Sequence, residues 1–163
     1  MKGKTKFVAF STQKGGAGKT TLTVLAASWL HYVKGHDVAV IDCDYPQHSI
    51  VEMRERDLKT ALEDEHYKRL AYEQFKRLGK KAYPVVESST KEALADAEYL
   101  LPQGDFDYVF FDLPGTINDE NLIHALARMD YIIAPISADR VVMESTLNYA
   151  VVVRDHIARS EKS

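Results

Sequence analysis

Gln13-Lys14-Gly15-Gly16-Ala17-Gly18-Lys19-Thr20-Thr21 lies between a continuous apolar run, Phe7 to Phe10, and a segment with the apolar spacing of a helix. Three glycines let the backbone approach a phosphate with no Cβ in the way, and consecutive N–H groups can converge on its oxygens. A helix that starts at the loop's end adds its positive pole. The stretch therefore reads as a polyphosphate cradle. Lys19 is placed to reach the β- and γ-phosphates, and the Thr20 hydroxyl to ligate the Mg²⁺ that bridges them. The strict pattern G-x-x-x-x-G-K-[ST] asks for glycine at position 13, where this chain has Gln13 followed by a second lysine, Lys14. The alternative, a glycine turn that merely joins strand to helix, is disfavoured by the Gly-Lys-Thr-Thr ending and its placement.

On either side of the loop the pattern is that of alternating strands and helices. Phe7-Val8-Ala9-Phe10 looks like a buried parallel strand. Leu22, Leu25, Ala26, Trp29, Leu30 and Val33 predict an amphipathic helix that packs this stripe on the sheet, with Gly35 as its C-cap. Val38 to Ile41 is the second strand, which completes a βαβ unit. His48 to Gly79 predicts two helices with buried faces at Ile50, Met53, Leu58 and Leu62, then Tyr67, Leu70 and Phe75. Their charges, including Glu63-Asp64-Glu65 and Lys68, Arg69, Lys76, Arg77, Lys80 and Lys81, fit a solvated face or a docking surface for nucleic acid or protein. A third strand is expected over Ala82 to Val86. Ser89 and Glu92 have capping-box spacing before a helix. Tyr108 to Phe111 forms a fourth strand, Asn118 and Asp119 can cap a further helix, Tyr131 to Pro135 is a fifth strand, and a last helix runs from about Asp139 to Ile157.

Two strand ends carry acids that a nucleotide site needs. The fourth strand runs into Asp112-Leu113-Pro114-Gly115, where Asp112 can hold a Mg²⁺-bound water and Gly115 can offer its N–H to a γ-phosphate. The second strand runs into Asp42-Cys43-Asp44-Tyr45-Pro46-Gln47, which taken alone fits a turn as well as a site. Cys43 between the two aspartates reads as passive packing, and the six histidines show no paired metal-ligand spacing.

The chain of 163 residues suits a single domain over 1–163. With 45% hydrophobic and 28% charged residues and a net charge of −3, it has no global pull toward nucleic acid or membrane, so any such partner must use a local patch. One cysteine excludes an internal disulfide and fits a reducing cytoplasm. The basic start is followed by an apolar run too short for a signal peptide or a membrane span.

Lys14-Gly15-Gly16-Ala17-Gly18-Lys19-Thr20 resembles the deviant phosphate loop of the ParA/MinD family of ATPases, and the Asp42-Cys43-Asp44 and Asp112 to Gly115 loops follow it in the family's order. The resemblance implies an α/β P-loop NTPase fold, three-layer α/β/α around a mainly parallel sheet, shortened at its C-terminal end. It implies ATP and Mg²⁺ as cofactors and an ATP-dependent homodimer in which Lys14 reaches the partner's nucleotide. By the same resemblance, Lys14, Lys19 and Asp44 are catalytic, with Asp44 positioning the attacking water. Lys14, Gly15, Gly16, Ala17, Gly18, Lys19, Thr20, Thr21 and Gly115 hold the nucleotide, and Thr20, Asp42 and Asp112 lie at the Mg²⁺, the carboxylates through water. Phe10 to Gly16, Cys43 to Ser49 and Asp112 to Thr116 look similar to the ParA-type ATPases of conjugative transposons, which implies a role in DNA transfer or partition, with DNA and a stimulating protein as partners. Two other classes are open: a ligase or synthetase on a related loop, whose substrate pocket would fall in His48 to Gly79, and a nucleotide-binding module without hydrolysis.

Overall fold

The computed structural model describes residues 3–11, 18–115, 119–136 and 140–160. Five strands, β1 (Lys6–Phe10), β2 (Val38–Asp42), β3 (Val85–Glu87), β4 (Tyr108–Asp112) and β5 (Tyr131–Ile133), form one sheet in the order β3-β2-β4-β1-β5. Every pairing is parallel, so the mainly parallel sheet of the sequence reading is parallel throughout. Strand residues alternate between two apolar layers. Val8, Phe10, Val38, Val40 and Phe110 face the first helix, α1 (Lys19–Ser28), whereas Ala9, Ile41, Val109 and Phe111 face α4 (Ala93–Leu100), α5 (Glu120–Ala127) and α6 (Arg140–Ser160). Both faces of the central strands are covered, which is why they read as unbroken apolar runs rather than alternating ones.

The expected helix after the loop forms, but it is rotated relative to the predicted stripe. Its buried positions are Lys19, Thr23 and Ala27, one turn apart; of the predicted stripe, Leu22, Ala26 and Leu30 pack partly buried beside them, while Leu25, Trp29 and Val33 are exposed. Small residues at the contact let α1 lie close on the sheet, and the bulky stripe is turned sideways. The helix widens into a π-helical segment, Trp29–Val33, and ends at Gly35, whose φ of +77° is the left-handed conformation expected of that cap.

His31 secures that end. Its Nδ1 accepts the Val38 N–H (3.3 Å), which leaves Nε2 to donate to the Lys81 carbonyl (2.9 Å). Burial lowers its pKa below 6.5, opposed by the Lys81 bond and assisted by the nearby Lys80 charge. A histidine held neutral in the fold contributes stability that is present above pH 6.5 and lost as pH falls through its depressed value. Thermal melts on acidification should therefore fall more steeply for the native chain than for His31→Gln; parallel curves would remove His31 from the account.

The polar segment folds as the two expected helices, α2 (Ser49–Glu63) and α3 (Glu65–Leu78), joined at Asp64, whose carboxylate accepts the His66 N–H (2.8 Å) as an N-cap. The predicted buried faces are corrected in part. Ile50 is buried and Met53 packs beside it, but Leu58, Leu62, Tyr67, Leu70 and Phe75 are exposed, and α3 buries no residue. The hairpin leaves the core after its first turns, so only the start of α2 has a sheet to cover. The third strand is also shorter than expected. It occupies Val85–Glu87, with Tyr83 ahead of it packed beside Ser28 (3.1 Å between hydroxyls). Ser89 accepts the Glu92 N–H (3.2 Å) at the start of α4, and Asp119 caps α5 by accepting the Asn121 N–H (2.9 Å); Asn118 lies outside the described residues.

Candidate functional site

The strand order puts the end of β1 beside the end of β4, with α1 leaving on one face and α5 on the other. In a parallel sheet this reversal opens a crevice at the carboxyl ends. Phe10 and Asp42 are both Cα partners of Asp112, so the loops after β1, β2 and β4 meet at one place. Gly18, with φ +78°, starts α1 in a conformation that favours glycine, and its carbonyl accepts the Leu22 N–H (2.8 Å). Lys14, Gly15, Gly16 and Ala17 lie outside the described residues.

Lys19, Thr20 and Asp112 are brought into contact from positions more than ninety residues apart. Thr20 Oγ1 donates to Asp112 Oδ2 (2.7 Å), and Lys19 Nζ donates to the Leu113 carbonyl (3.1 Å). Asp112 is 1% exposed, and burial pushes its pKa up to about 6. The Thr20 bond and the Lys19 charge oppose that rise, while Asp42 and Asp44 add to it. Burial likewise lowers the Lys19 pKa, against the attraction of Asp112 and Asp44. The site thus gathers one buried cation and three acids, and one of its two buried acids, Asp112, is poorly compensated.

Asp42 is fully buried, and its oxygens are engaged. Oδ2 accepts the Ile50 and Val51 N–H groups (3.0 and 3.1 Å) at the start of α2, and Oδ1 accepts the Asp44 N–H (3.2 Å). Asp42 therefore ties both the loop to Asp44 and the hairpin to the sheet. Asp44 is only partly buried and acts on Lys19 and Asp112 through its charge. Thr21 is exposed on the first turn of α1, and Gly115 follows Leu113 and Pro114 at the end of the described part of its loop. Cys43 is buried, its N–H bonded to the Asp112 carbonyl (3.0 Å) and its thiol pushed up to about 12 by burial, which leaves it protonated and unreactive.

Sequence reasoning missed His48 and Glu87. His48, with φ +42°, directs Nδ1 at the Asp42 carbonyl (3.2 Å) and Nε2 toward Glu87 (3.7 Å), the residue that pairs with Asp42 across β2 and β3. No local pattern marks Glu87, because its nearness to Asp42 depends on strand register. His48 was legible only as the residue before a helix.

A parallel sheet of this order, with a glycine-led helix start, a lysine, a threonine and two aspartates at its carboxyl ends, defines a P-loop nucleotide-binding protein of the α/β class. A family model described as ATPase MipZ matches residues 6–147. The chain belongs to the MipZ ATPase family, within the ParA/MinD-type P-loop ATPases, as the three loops implied. The chain is 34% identical over 125 residues to the uncharacterized protein BBD21 of Borreliella burgdorferi, a match covering 66% of this chain and 50% of that protein. It thus spans half the length of this curated relative. Two solved structures share the fold. A plasmid partition protein from Borrelia burgdorferi superposes with a TM-score of 0.58 at 21% identity, covering 94% of this chain and 75% of that one. FlhF complexed with GMPPNP and Mg²⁺ superposes at 0.52 with 20% identity, covering 88% and 50%. No helix among the described residues is long and apolar enough to cross a membrane.

Proposed function

We propose that residues 1–163 form one nucleotide-binding domain, a cytoplasmic ParA-like switch that binds Mg-ATP, dimerises around two nucleotides and is released by hydrolysis. The observation that carries this is the Thr20 hydroxyl on the buried, undercompensated Asp112, with Lys19 beside it. A hydroxyl and carboxylates are hard oxygen donors, suited to Mg²⁺.

Lys19 exchanges its bond to the Leu113 carbonyl for β- and γ-phosphate oxygens. Thr20, Asp42 and Asp112 would hold the ion, the two carboxylates through water, and Mg²⁺ when bound would supply charge neutralisation at the phosphates. The N–H groups of Gly15 to Thr21 and of Gly115 would cradle the phosphate oxygens. Asp44 orients the attacking water and accepts its proton, and Lys14 completes the partner's site. Because charge at the transferred group peaks in the transition state, lysines on both sides act there most strongly. The process served is partition, positioning or conjugative transfer of DNA, with DNA and a stimulating protein as partners.

Neither alternative class draws support from a specific observation. The groove on the α2–α3 hairpin is lined by Thr60, Tyr67, Leu70 and Gln74, toward the far end of α2 from Asp42, so it does not adjoin the site as a ligase pocket must.

Light scattering of the Asp44→Ala variant with Mg²⁺ should give a dimer with ATP and a monomer without it, since the bound state cannot turn over. Adding Lys14→Ala to that variant should abolish the dimer. A monomer under both conditions for Asp44→Ala alone would overturn the switch reading for this chain.

A further inference from the structure

Ser11 follows β1 directly and is the last described residue before the phosphate loop. It lies two residues beyond Ala9, so the alternation of the strand turns its side chain to the face that carries α4, α5 and α6. There its hydroxyl shares a hydrogen bond of 2.6 Å with that of Tyr149, which comes from the middle of α6, 138 residues later in the chain. Both residues are buried, each at 3% exposure. The Ser11 N–H donates to the Ile133 carbonyl (3.0 Å), so the root of the loop is held in two directions, by β5 within the sheet and by α6 across its face.

Packing alone does not ask for a hydroxyl pair here. The α6 residues of the surrounding core are Tyr149, Val153 and Ile157, and of these side chains only Tyr149 carries a polar group. Phenylalanine opposite alanine would cover the same apolar surface with no hydroxyl to desolvate, and a buried hydrogen bond adds little net stability over such a pair. What the bond adds is direction. An apolar contact tolerates sliding, whereas a hydrogen bond fixes one atom of Ser11 relative to one atom of α6. Burial raises the Tyr149 pKa above its ordinary 10, against the pull of the Ser11 bond, so the phenol keeps its proton.

We propose that Tyr149 is a positioning residue for nucleotide binding: through Ser11 it sets where the phosphate loop leaves the sheet, and so ties the loop's readiness for a polyphosphate to the seating of α6. The role rests on the proposed binding of nucleotide. The other end of the loop is anchored independently, where Lys19 bonds to the Leu113 carbonyl and Thr20 to Asp112. A loop fixed at both ends loses less freedom when the ligand arrives. Because α6 also packs on α5, the helix that follows the Gly115 loop, one helix touches the supports of both loops.

The test compares Tyr149→Phe, Ser11→Ala and the double variant, by melting without nucleotide and by calorimetric titration with AMPPNP and Mg²⁺ well below every melting point. Each single variant leaves one buried hydroxyl unpaired, and should both melt lower and bind the analogue about three- to tenfold more weakly. The double variant leaves neither hydroxyl behind. Its melting should return close to native while its affinity stays as low as that of the single variants. A contact that served stability alone would make affinity follow melting, so recovery of both in the double variant would overturn the proposal, as would native affinity in the single variants. If the native chain itself failed to bind the analogue, the nucleotide reading would fall and the positioning role with it; native binding with unmoved variants would remove the positioning role alone.

Discussion

Lys19→Met is expected to lower ATP turnover by roughly a hundredfold to ten-thousandfold while leaving the fold intact. The magnitude follows from two charge-assisted hydrogen bonds to phosphate, each worth about 1.5–3 kcal/mol in a site shielded from water. The fold should tolerate the change because Lys19 is already a strained guest: burial lowers its pKa, so its charged form is less at ease in the fold than in the unfolded chain. Methionine keeps the aliphatic contact of a side chain buried to 8% exposure and removes the ammonium. Steady-state phosphate release gives the rate, and a melting curve without nucleotide gives the control. Turnover within a few fold of the native value would take Lys19 out of the phosphate site.

Asp112→Asn should separate stability from activity in the opposite direction. Its carboxyl rises from 3.8 to about 6 because the ionised form is buried, so the proton-bound form is the stable one in the fold. Its contribution is complete below pH 3.8 and gone once pH exceeds about 6, which means that the nucleotide-free protein carries an ionised, disfavoured Asp112 at neutral pH. A displacement of that size corresponds to at most about 3 kcal/mol. Asparagine carries no charge and still accepts the Thr20 hydroxyl. The variant should melt several degrees higher than the native protein at neutral pH, with the gain shrinking toward pH 4, and should lose Mg²⁺-dependent turnover on the order of a hundredfold or more. A gain that is the same at both pH values, or no gain, would show that Asp112 ionisation is not what the fold resists. His31 acts in the reverse sense as pH falls below 6.5, so the comparison is between variants at each pH and not between pH values for one protein.

Much of this was legible because phosphate chemistry is written locally. Lys14 to Thr21, Asp42 to Asp44 and Asp112 to Gly115 each end an apolar run, and an apolar run ending in a polar loop has one sensible place in a parallel sheet. The rotation of the first helix was not legible, since Leu25, Trp29 and Val33 match the helical period as well as Thr23 and Ala27 do, and only close approach to the sheet selects the smaller set. The α3 helix misled for a related reason. Tyr67, Leu70 and Phe75 make an apolar stripe with no sheet beneath it, and spacing alone does not say whether a stripe is covered. The engagement of Asp42 with the Ile50 and Val51 amides was hidden because a carboxylate that holds a distant helix start has the same sequence signature as one that waits for a metal.

The strand order also dictates when the domain can come into being during synthesis. β1 and β2 are made first, yet they never touch; β4 fills the slot between them and bonds to both. Until Asp112 has left the ribosome the nascent chain holds two apolar strands with a vacancy between them, and the Thr20 hydroxyl lacks the acceptor that lies 92 residues ahead of it. Contacts of such long separation are slow to close and leave apolar surface exposed meanwhile. A ribosome stalled before β4 therefore presents chaperones with an open sheet, and the insertion of that one strand joins β1 to β2 and brings Asp112 to Thr20 in the same event.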